Sequence, residues 1–117
     1  MTNDQAIRAL AALAQEHRLA IFRLLVKQGS SGLAAGEIGE RIGISPTGAS
    51  FHLKELDRAG LIAARREGRF IRYAFNADAM RDLLTFLMQD CCQGRPELCG
   101  DLYPLSEKAL SEELARD

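Results

Sequence analysis

Hydrophobic residues in the first half of the chain recur at intervals of three and four positions, a spacing that is typical of amphipathic helices. This pattern predicts two helices before Gly29, joined near residues 15–17, and a third, short helix over residues 34–43. Ser45 and Pro46 indicate the start of a fourth helix, because serine caps helix N-termini and proline fits the first helical position. That helix is predicted to extend over residues 46–59.

The predicted helix over residues 46–59 has one apolar face and one mostly polar face. Three apolar residues share one side of a helical wheel: Ala49, Leu53 and Leu56. The opposite side holds residues that could contact a partner: Thr47, Phe51, Lys54 and Arg58, with Ser50 at its margin. One face of this helix is therefore predicted to pack against the core, and the opposite face is predicted to be exposed to a partner.

After Gly60 the hydrophobic pattern changes to a period of two, which indicates β-strands. Residues 66–69 supply a glycine-containing turn, so residues 61–75 are predicted to form a β-hairpin with arginines at its tip. A two-stranded hairpin is not stable alone and must pack on the helices. Asn76 can cap a further helix, whose apolar stripe reaches Asp90 or the cysteine pair that follows.

Length and composition indicate one globular domain over residues 1–117, with 47% hydrophobic and 26% charged residues. No apolar run approaches the length of a bilayer span, and charged residues interrupt the apolar stretches of the first thirty positions, so we expect a cytoplasmic protein without a membrane partner. The net charge is only -1, but residues 45–75 hold six basic and three acidic groups. Residues 76–117 hold four basic and nine acidic groups, so positive charge is concentrated in the middle third.

A short helix, a tight turn, a second helix with a small polar outer face and a basic hairpin together predict a winged helix-turn-helix. Short side chains such as Thr47 and Ser50 let a helix backbone approach base edges in the major groove, and the ring of Phe51 can contact a thymine methyl group. Lys54, Arg58 and the hairpin arginines can neutralise phosphates. The expected partner is therefore double-stranded operator DNA.

The other basic residues are predicted either to contact phosphates or to have structural roles within the protein. Among the hairpin arginines, Arg66 and Arg69 are the predicted phosphate contacts, whereas Arg72 is expected to be a solvated strand residue. His52 lies beside the buried stripe and is predicted to pack or to form a hydrogen bond within the protein. Arg18, like the histidine before it, is expected to have a structural role at a helix start.

Three segments of the chain resemble the ArsR/SmtB-type repressors, which are small dimeric winged-helix sensors of bacteria. They are LAQEHRLAIFRLL at 13–25, LAAGEIGERIGISPTGASFHLKELDRAGLI at 33–62 and RREGRFIRYAF at 65–75. The resemblance implies a mainly α fold with a small β-hairpin, assembled as a homodimer. It also assigns roles: helix 46–59 reads DNA through Thr47, Ser50 and Phe51, hairpin 61–75 is the wing, and helices 4–14 and 77–92 form the dimer interface.

All three cysteines of the chain fall within nine residues, at Cys91, Cys92 and Cys99. An odd number of cysteines makes a poor disulfide framework and fits a reducing compartment. In the well-known arsenic-sensing members of this family, a Cys-x-Cys box lies at the start of the third helix. The equivalent residues 33–37 of this chain contain no thiol. The segment DCCQGRPELC instead resembles the C-terminal three-cysteine site of other arsenite-responsive repressors.

Three thiolates complete the coordination of trivalent arsenic, which is pyramidal and binds sulfur strongly, and antimony behaves similarly. Zinc normally takes four ligands in a closed structural site. Gly94 and Pro96 can turn the chain so that Cys99 approaches Cys91 and Cys92. The predicted function is thus a repressor that arsenite, or Sb(III), releases from its operator.

Other functions of the cysteines remain open at this point. Two thiols could form a disulfide or polysulfide and release DNA in the same way, with Cys99 as one partner because adjacent cysteines bridge only with strain. A thiol-dependent reductase is less favoured, because no oxyanion-binding loop or general base accompanies the cysteines. An architectural DNA-binding dimer with ordinary buried thiols is the third alternative.

Overall fold

A computed structural model of the chain describes residues 1–89, and the three cysteines lie outside the described residues. Five helices, a 3₁₀ turn and three strands follow in this order: α1 (Asn3–Leu13), α2 (Glu16–Gln28), the 3₁₀ turn (Gly29–Ser31), β1 (Leu33–Ala34), α3 (Ala35–Ile42), α4 (Pro46–Arg58), β2 (Ile62–Glu67), β3 (Phe70–Phe75) and α5 (Ala77–Met88). Each predicted helix corresponds to an observed one, with bounds that differ by a residue or two in the described range. None of the helices in this range is long and apolar enough to cross a bilayer.

Side-chain caps fix where α4 and α5 begin. The Ser45 side chain accepts a hydrogen bond from the backbone N–H of Gly48 at 3.1 Å, and Pro46 occupies the start of α4. Asn76 accepts from the backbone N–H of Ala79 at 3.2 Å and so starts α5. These bonds satisfy donors that a helix leaves unpaired at its N-terminus. The caps predicted from the sequence at residues 45 and 76 are therefore confirmed.

The sheet has three antiparallel strands in the order β1-β3-β2, one more than the predicted hairpin. Strand β3 lies in the centre, with Ile62 of β2 opposite Phe75 and Leu33 of β1 opposite Tyr73. Strand β1 has only two residues, too few for a period of two to be visible. It anchors the hairpin to the segment between α2 and α3, which stabilises a ribbon that could not stand alone.

The core lies between the helices and the base of the sheet. Its fully buried large side chains come from four different parts of the chain: Ile21 and Leu25 of α2, Ile38 of α3, Leu53 and Leu56 of α4, and Leu61 before β2. Burying one such side chain contributes roughly 1.5–3 kcal/mol. The predicted apolar stripe of α4 therefore packs this helix against the core.

Helix α1 buries its small residues and exposes its large ones. Ala6, Ala9 and Ala12 form its buried face, whereas Ile7 and Leu10 are 56% and 42% exposed. Alanines let α1 approach its neighbours α2, α4 and α5 closely, and the large side chains are left on the outer surface.

Gly32 permits the close approach of β1 to β3. Its backbone has φ +66° and ψ -168°, a conformation that is almost restricted to glycine. A Cβ atom at this position would overlap the backbone carbonyl oxygen of Tyr73. The carbonyl oxygen of Gly32 also accepts a hydrogen bond of 3.1 Å from Nη1 of Arg72. Gly32 thus allows β1 to pair with β3 and to support the hairpin.

Gly32→Ala is expected to lower the free energy of unfolding by about 1–3 kcal/mol more than Gly29→Ala, because it adds a steric overlap to the backbone strain. Gly29 is the matched control, since it has φ +70° but no atom within 4 Å of the position that a Cβ would occupy. Urea unfolding monitored by circular dichroism measures the difference. Equal losses in the two variants would contradict the close approach at Gly32.

Candidate nucleic-acid interface

Helices α3 and α4 form a helix-turn-helix with a turn of three residues, Gly43–Ser45. Gly43 is left-handed, with φ +80° and ψ 37°, and its backbone N–H bonds to the carbonyl of Gly39 at 2.9 Å to end α3. Gly39 lies close to α4, because a Cβ there would be 3.5 Å from Cβ of Ala49. Small residues at this crossing therefore set the short distance between the two helices.

The outer face of α4 carries the residues predicted to contact bases and phosphate. Thr47, Ser50, Phe51 and Lys54 are all exposed, whereas Ala49, Leu53 and Leu56 are buried on the inner side. The ring of Phe51 is 56% exposed, which is unusual for a large apolar side chain beside polar neighbours. The side of the helix that the protein does not bury thus has the composition of a groove-reading surface.

A glutamate in the hairpin determines which of its arginines have intramolecular partners. Glu67 accepts from Nη2 of Arg65 and from Nε of Arg72, each at 3.0 Å. Arg66 and Arg69 are exposed and make no side-chain hydrogen bond or ion pair within residues 1–89. Among residues 1–89, the two arginines predicted to contact phosphates are therefore the two of the hairpin without an internal partner.

Arg72 is not the solvated strand residue that the sequence suggested. Besides its bond to Glu67, its Nη1 atom donates to the carbonyl oxygens of Ser31 at 3.4 Å and Gly32 at 3.1 Å. It thereby links β3 to the segment before β1. The correction follows from the third strand, since an isolated hairpin would give Arg72 no such carbonyls to bind.

Glu67 and Phe70 are surface residues of the hairpin that sequence reasoning did not single out. Register places Glu67 directly opposite Phe70, and Arg65 and Arg72 form the next pair on the same face. The alternation of side chains within a hairpin could have revealed the Glu67 pairings. Phe70 is 69% exposed, and the same alternation places it on the face of Arg72, opposite to Tyr73 and Phe75.

His52 has the intramolecular role that its position beside the stripe predicted. Its Nδ1 atom lies 3.2 Å from Nη1 of Arg18 at the start of α2. Arg18 itself is positioned by a 2.7 Å bond from its Nε atom to the carbonyl oxygen of Ala12. Both residues are half-buried.

The structure leaves the predicted site in separate groups. The α4 residues share one helix face, Arg66 lies near the end of β2 and Arg69 in the hairpin turn, and Cys91, Cys92 and Cys99 are outside the described residues. Within residues 1–89, no group of three or more His, Cys, Asp or Glu side chains is placed to hold a metal ion. A metal site formed by such a group is therefore not present in the described part of the chain.

Comparisons with known proteins agree on the class of this chain. A family model described as a helix-turn-helix domain matches residues 13–65. The uncharacterised HTH-type transcriptional regulator YceK of Bacillus subtilis is 40% identical over 89 residues, which cover 74% of this chain and 88% of YceK.

Two solved structures add to this likeness. The first is Mb0332 of Mycobacterium bovis, a homodimeric winged helix-turn-helix DNA-binding domain described as a possible ArsR-family transcriptional regulator; it is 32% identical, with a TM-score of 0.60, over 76% of this chain and 82% of that one. The second is described as a possible transcriptional regulator for arsenical resistance; it is 25% identical, with a TM-score of 0.60, over 69% of this chain and 81% of that one.

The hydrogen bond from Arg72, followed by the charge of Arg65, holds the pKa of Glu67 below its ordinary value. The favourable interaction is therefore present above the ordinary glutamate pKa and is lost as the pH falls through the lowered value. Arg72→Met is expected to raise the pKa of Glu67, as measured by NMR titration of its carboxyl carbon. Arg58→Met, which removes an ion pair on α4 instead, should leave that titration unchanged.

Proposed function

The chain belongs to the ArsR/SmtB-like family of winged helix-turn-helix transcriptional regulators, and from this we propose that it is a homodimeric repressor of operator DNA that trivalent arsenic or antimony releases. The observation that carries the proposal is the outer face of α4, where Thr47, Ser50 and Phe51 are exposed on a helix held by its other side. This helix enters the major groove, and Lys54 contacts a phosphate.

The wing contributes phosphate contacts through Arg66 and Arg69. Support comes from Glu67, which occupies Arg65 and Arg72 and leaves the other two guanidinium groups available. A guanidinium without an internal partner can bind phosphate without first breaking an ion pair. The wing thus adds affinity and orients α4, while the α4 residues read the bases.

A second copy of the chain covers the apolar surfaces of α1 and α5. Ile7 and Leu10 of α1 and Leu84 and Leu87 of α5 are each more than 40% exposed, and the two helices contact each other. Large apolar residues grouped on a surface are typical of protein interfaces. The homodimer reported for Mb0332 supports this assignment. A dimer brings two α4 helices to successive major grooves, about 34 Å apart.

The proposed inducer site consists of Cys91, Cys92 and Cys99. Helix α5 ends at Met88, only three residues before Cys91, so ion binding there would act next to a helix assigned to the dimer interface. Three soft sulfur ligands suit As(III) and Sb(III) better than zinc, which takes four ligands. The similarity to a structure described as a possible regulator for arsenical resistance supports the same choice. Genes for arsenic efflux or detoxification would then be the regulated ones.

Thiol oxidation is the second candidate signal. It is favoured by the same clustering, because cysteines that can hold one ion together can also form a disulfide or polysulfide. The DNA-binding half of the proposal is common to both. The two differ in whether arsenite releases DNA in the absence of an oxidant.

Arg66→Ala and Arg69→Ala are each expected to make DNA binding less dependent on salt. In a homodimer each change removes two phosphate contacts, so the slope of log K against log salt should decrease in magnitude by roughly 1.8. Fluorescence anisotropy with a duplex selected by the wild-type protein from a random-sequence library measures this slope. Arg65→Ala is the control and should change it less, because Glu67 already neutralises Arg65. Unchanged slopes for both test variants would remove the wing from the interface.

Replacement of Cys91, Cys92 or Cys99 by Ser, one at a time, should abolish release by sodium arsenite and leave DNA affinity unchanged, because two thiolates bind As(III) much more weakly than three. Gel-shift titrations under reducing conditions test this, and repeats with hydrogen peroxide or polysulfide test the second candidate. Normal release from all three variants would refute the trithiolate site. A wild-type dimer that ignores both arsenite and oxidant would be an architectural protein, and thiol-dependent turnover without DNA binding would indicate an enzyme.

A further inference from the structure

A short series of hydrogen bonds connects α1, α2 and α4. Nε of Arg18 donates to the carbonyl oxygen of Ala12 near the end of α1, at 2.7 Å. Nη1 of the same guanidinium lies 3.2 Å from Nδ1 of His52 in the middle of α4. The backbone N–H of Arg18 is in turn bonded to Oε1 of Gln15 at 2.9 Å, which fixes the start of α2. One side chain therefore joins the proposed DNA-reading helix to the end of a proposed dimer helix.

The chemistry of this bond determines the protonation of His52. A guanidinium has only donors, so Nδ1 of His52 must be the acceptor. This requires a neutral imidazole ring with its hydrogen on Nε2. A protonated ring would place an N–H group against the Arg18 cation, and the bond would be replaced by repulsion between two positive charges.

The His52 ring also contacts a proposed base-reading residue. The ring centres of His52 and Phe51 are 5.4 Å apart with the planes at 68°, an edge-to-face arrangement. On its other side the His52 ring is 5.5 Å from the ring of His17 on α2. His52 thus lies between the exposed Phe51 ring and helix α2, and Arg18 determines its position.

We propose that Arg18 and His52 are positioning residues for DNA binding: their hydrogen bond orients α4 and the Phe51 ring, and only a neutral His52 can form it. Neither side chain contacts DNA in this proposal, which rests on the proposed operator-binding function. Operator affinity should then fall as His52 becomes protonated.

The groups around His52 determine the pH range in which DNA binding should decrease. Burial, then the positive charge of Arg18 and the nearby His17, lowers the pKa of His52 below the ordinary value of about 6.5, while Glu55 on α4 opposes the shift. Helix α1 faces the pair with the Ala12 carbonyl, and its Arg8 lines the same cavity as Arg18, with Glu55 and Arg58 of α4. Because the pKa of His52 in the folded protein lies below its ordinary value, DNA binding should be constant above that ordinary value and should decrease as the pH falls through the lowered pKa.

Two substitutions of His52 separate the hydrogen bond from simple packing. His52→Asn places Oδ1 near the position of Nδ1, so it keeps an acceptor for Arg18 but cannot be protonated. His52→Leu fills similar space without an acceptor. At pH 7.5, His52→Leu should bind the library-selected duplex on the order of tenfold more weakly, whereas His52→Asn should be close to wild type. The salt slope should stay at the wild-type value in both variants, because no phosphate contact is removed.

The pH profile gives a second readout. Between pH 7.5 and 5.5 the wild-type affinity should decrease, by at most about tenfold per pH unit for each histidine, and the His52→Asn profile should be nearly flat. His17→Gln is the matched control: it should keep the acid-dependent loss of affinity, moved to slightly higher pH because one charge that lowers the pKa of His52 is removed. Thermal unfolding of each variant at both pH values verifies that the compared proteins are folded.

Several outcomes would overturn the proposal. It is wrong if His52→Leu binds like the wild type, if His52→Asn keeps the acid-dependent loss, or if His17→Gln removes that loss. A reduced salt slope in His52→Leu would mean that His52 contacts DNA directly. If the wild-type protein selects no duplex, the operator-binding function fails instead, and NMR titration of the His52 ring in Arg18→Lys still tests the bond by whether the pKa of His52 rises.

Discussion

The buried stripe of α4 is the constraint on which the proposed interface depends. Leu53 and Leu56 are fully buried and Ala49 nearly so, and together they leave the helix only one orientation relative to α2 and α3. All the proposed DNA contacts of this helix lie on the remaining side. Because both faces belong to one helix of 13 residues, a change that loosens the core also turns the reading surface.

Ion pairs inside the hairpin divide its arginines into two groups. The wing has four arginines, but one carboxylate binds two of them, and one of these also binds the segment before β1. The arginines with a structural role and those proposed to contact DNA are thus distinguished by their neighbours, since the side chains themselves are identical. The low net charge of the whole chain is compatible with a basic local surface because residues 76–117 hold nine acidic and only four basic groups.

Local signals in the sequence predicted the helices, the caps at Ser45 and Asn76 and the hairpin, because each depends on residues within a few positions of one another. Strand β1 and the role of Arg72 could not be predicted, since both result from pairing between residues about 40 positions apart. The exposed face of α4 followed from its periodicity, whereas the Arg18–His52 bond required the packing of two helices. The assignment of the cysteines depends on residues beyond position 89, so it remains a prediction.

The alanine face of α1 has a consequence for how such proteins diversify. Its inner alanines are constrained by the interior of their own chain, while Ile7 and Leu10 contribute little to that interior. In the proposed dimer, the choice of partner is therefore encoded by side chains that the fold itself leaves open to change. After gene duplication, two copies could evolve to exclude each other from mixed assemblies while each kept the same hydrophobic centre.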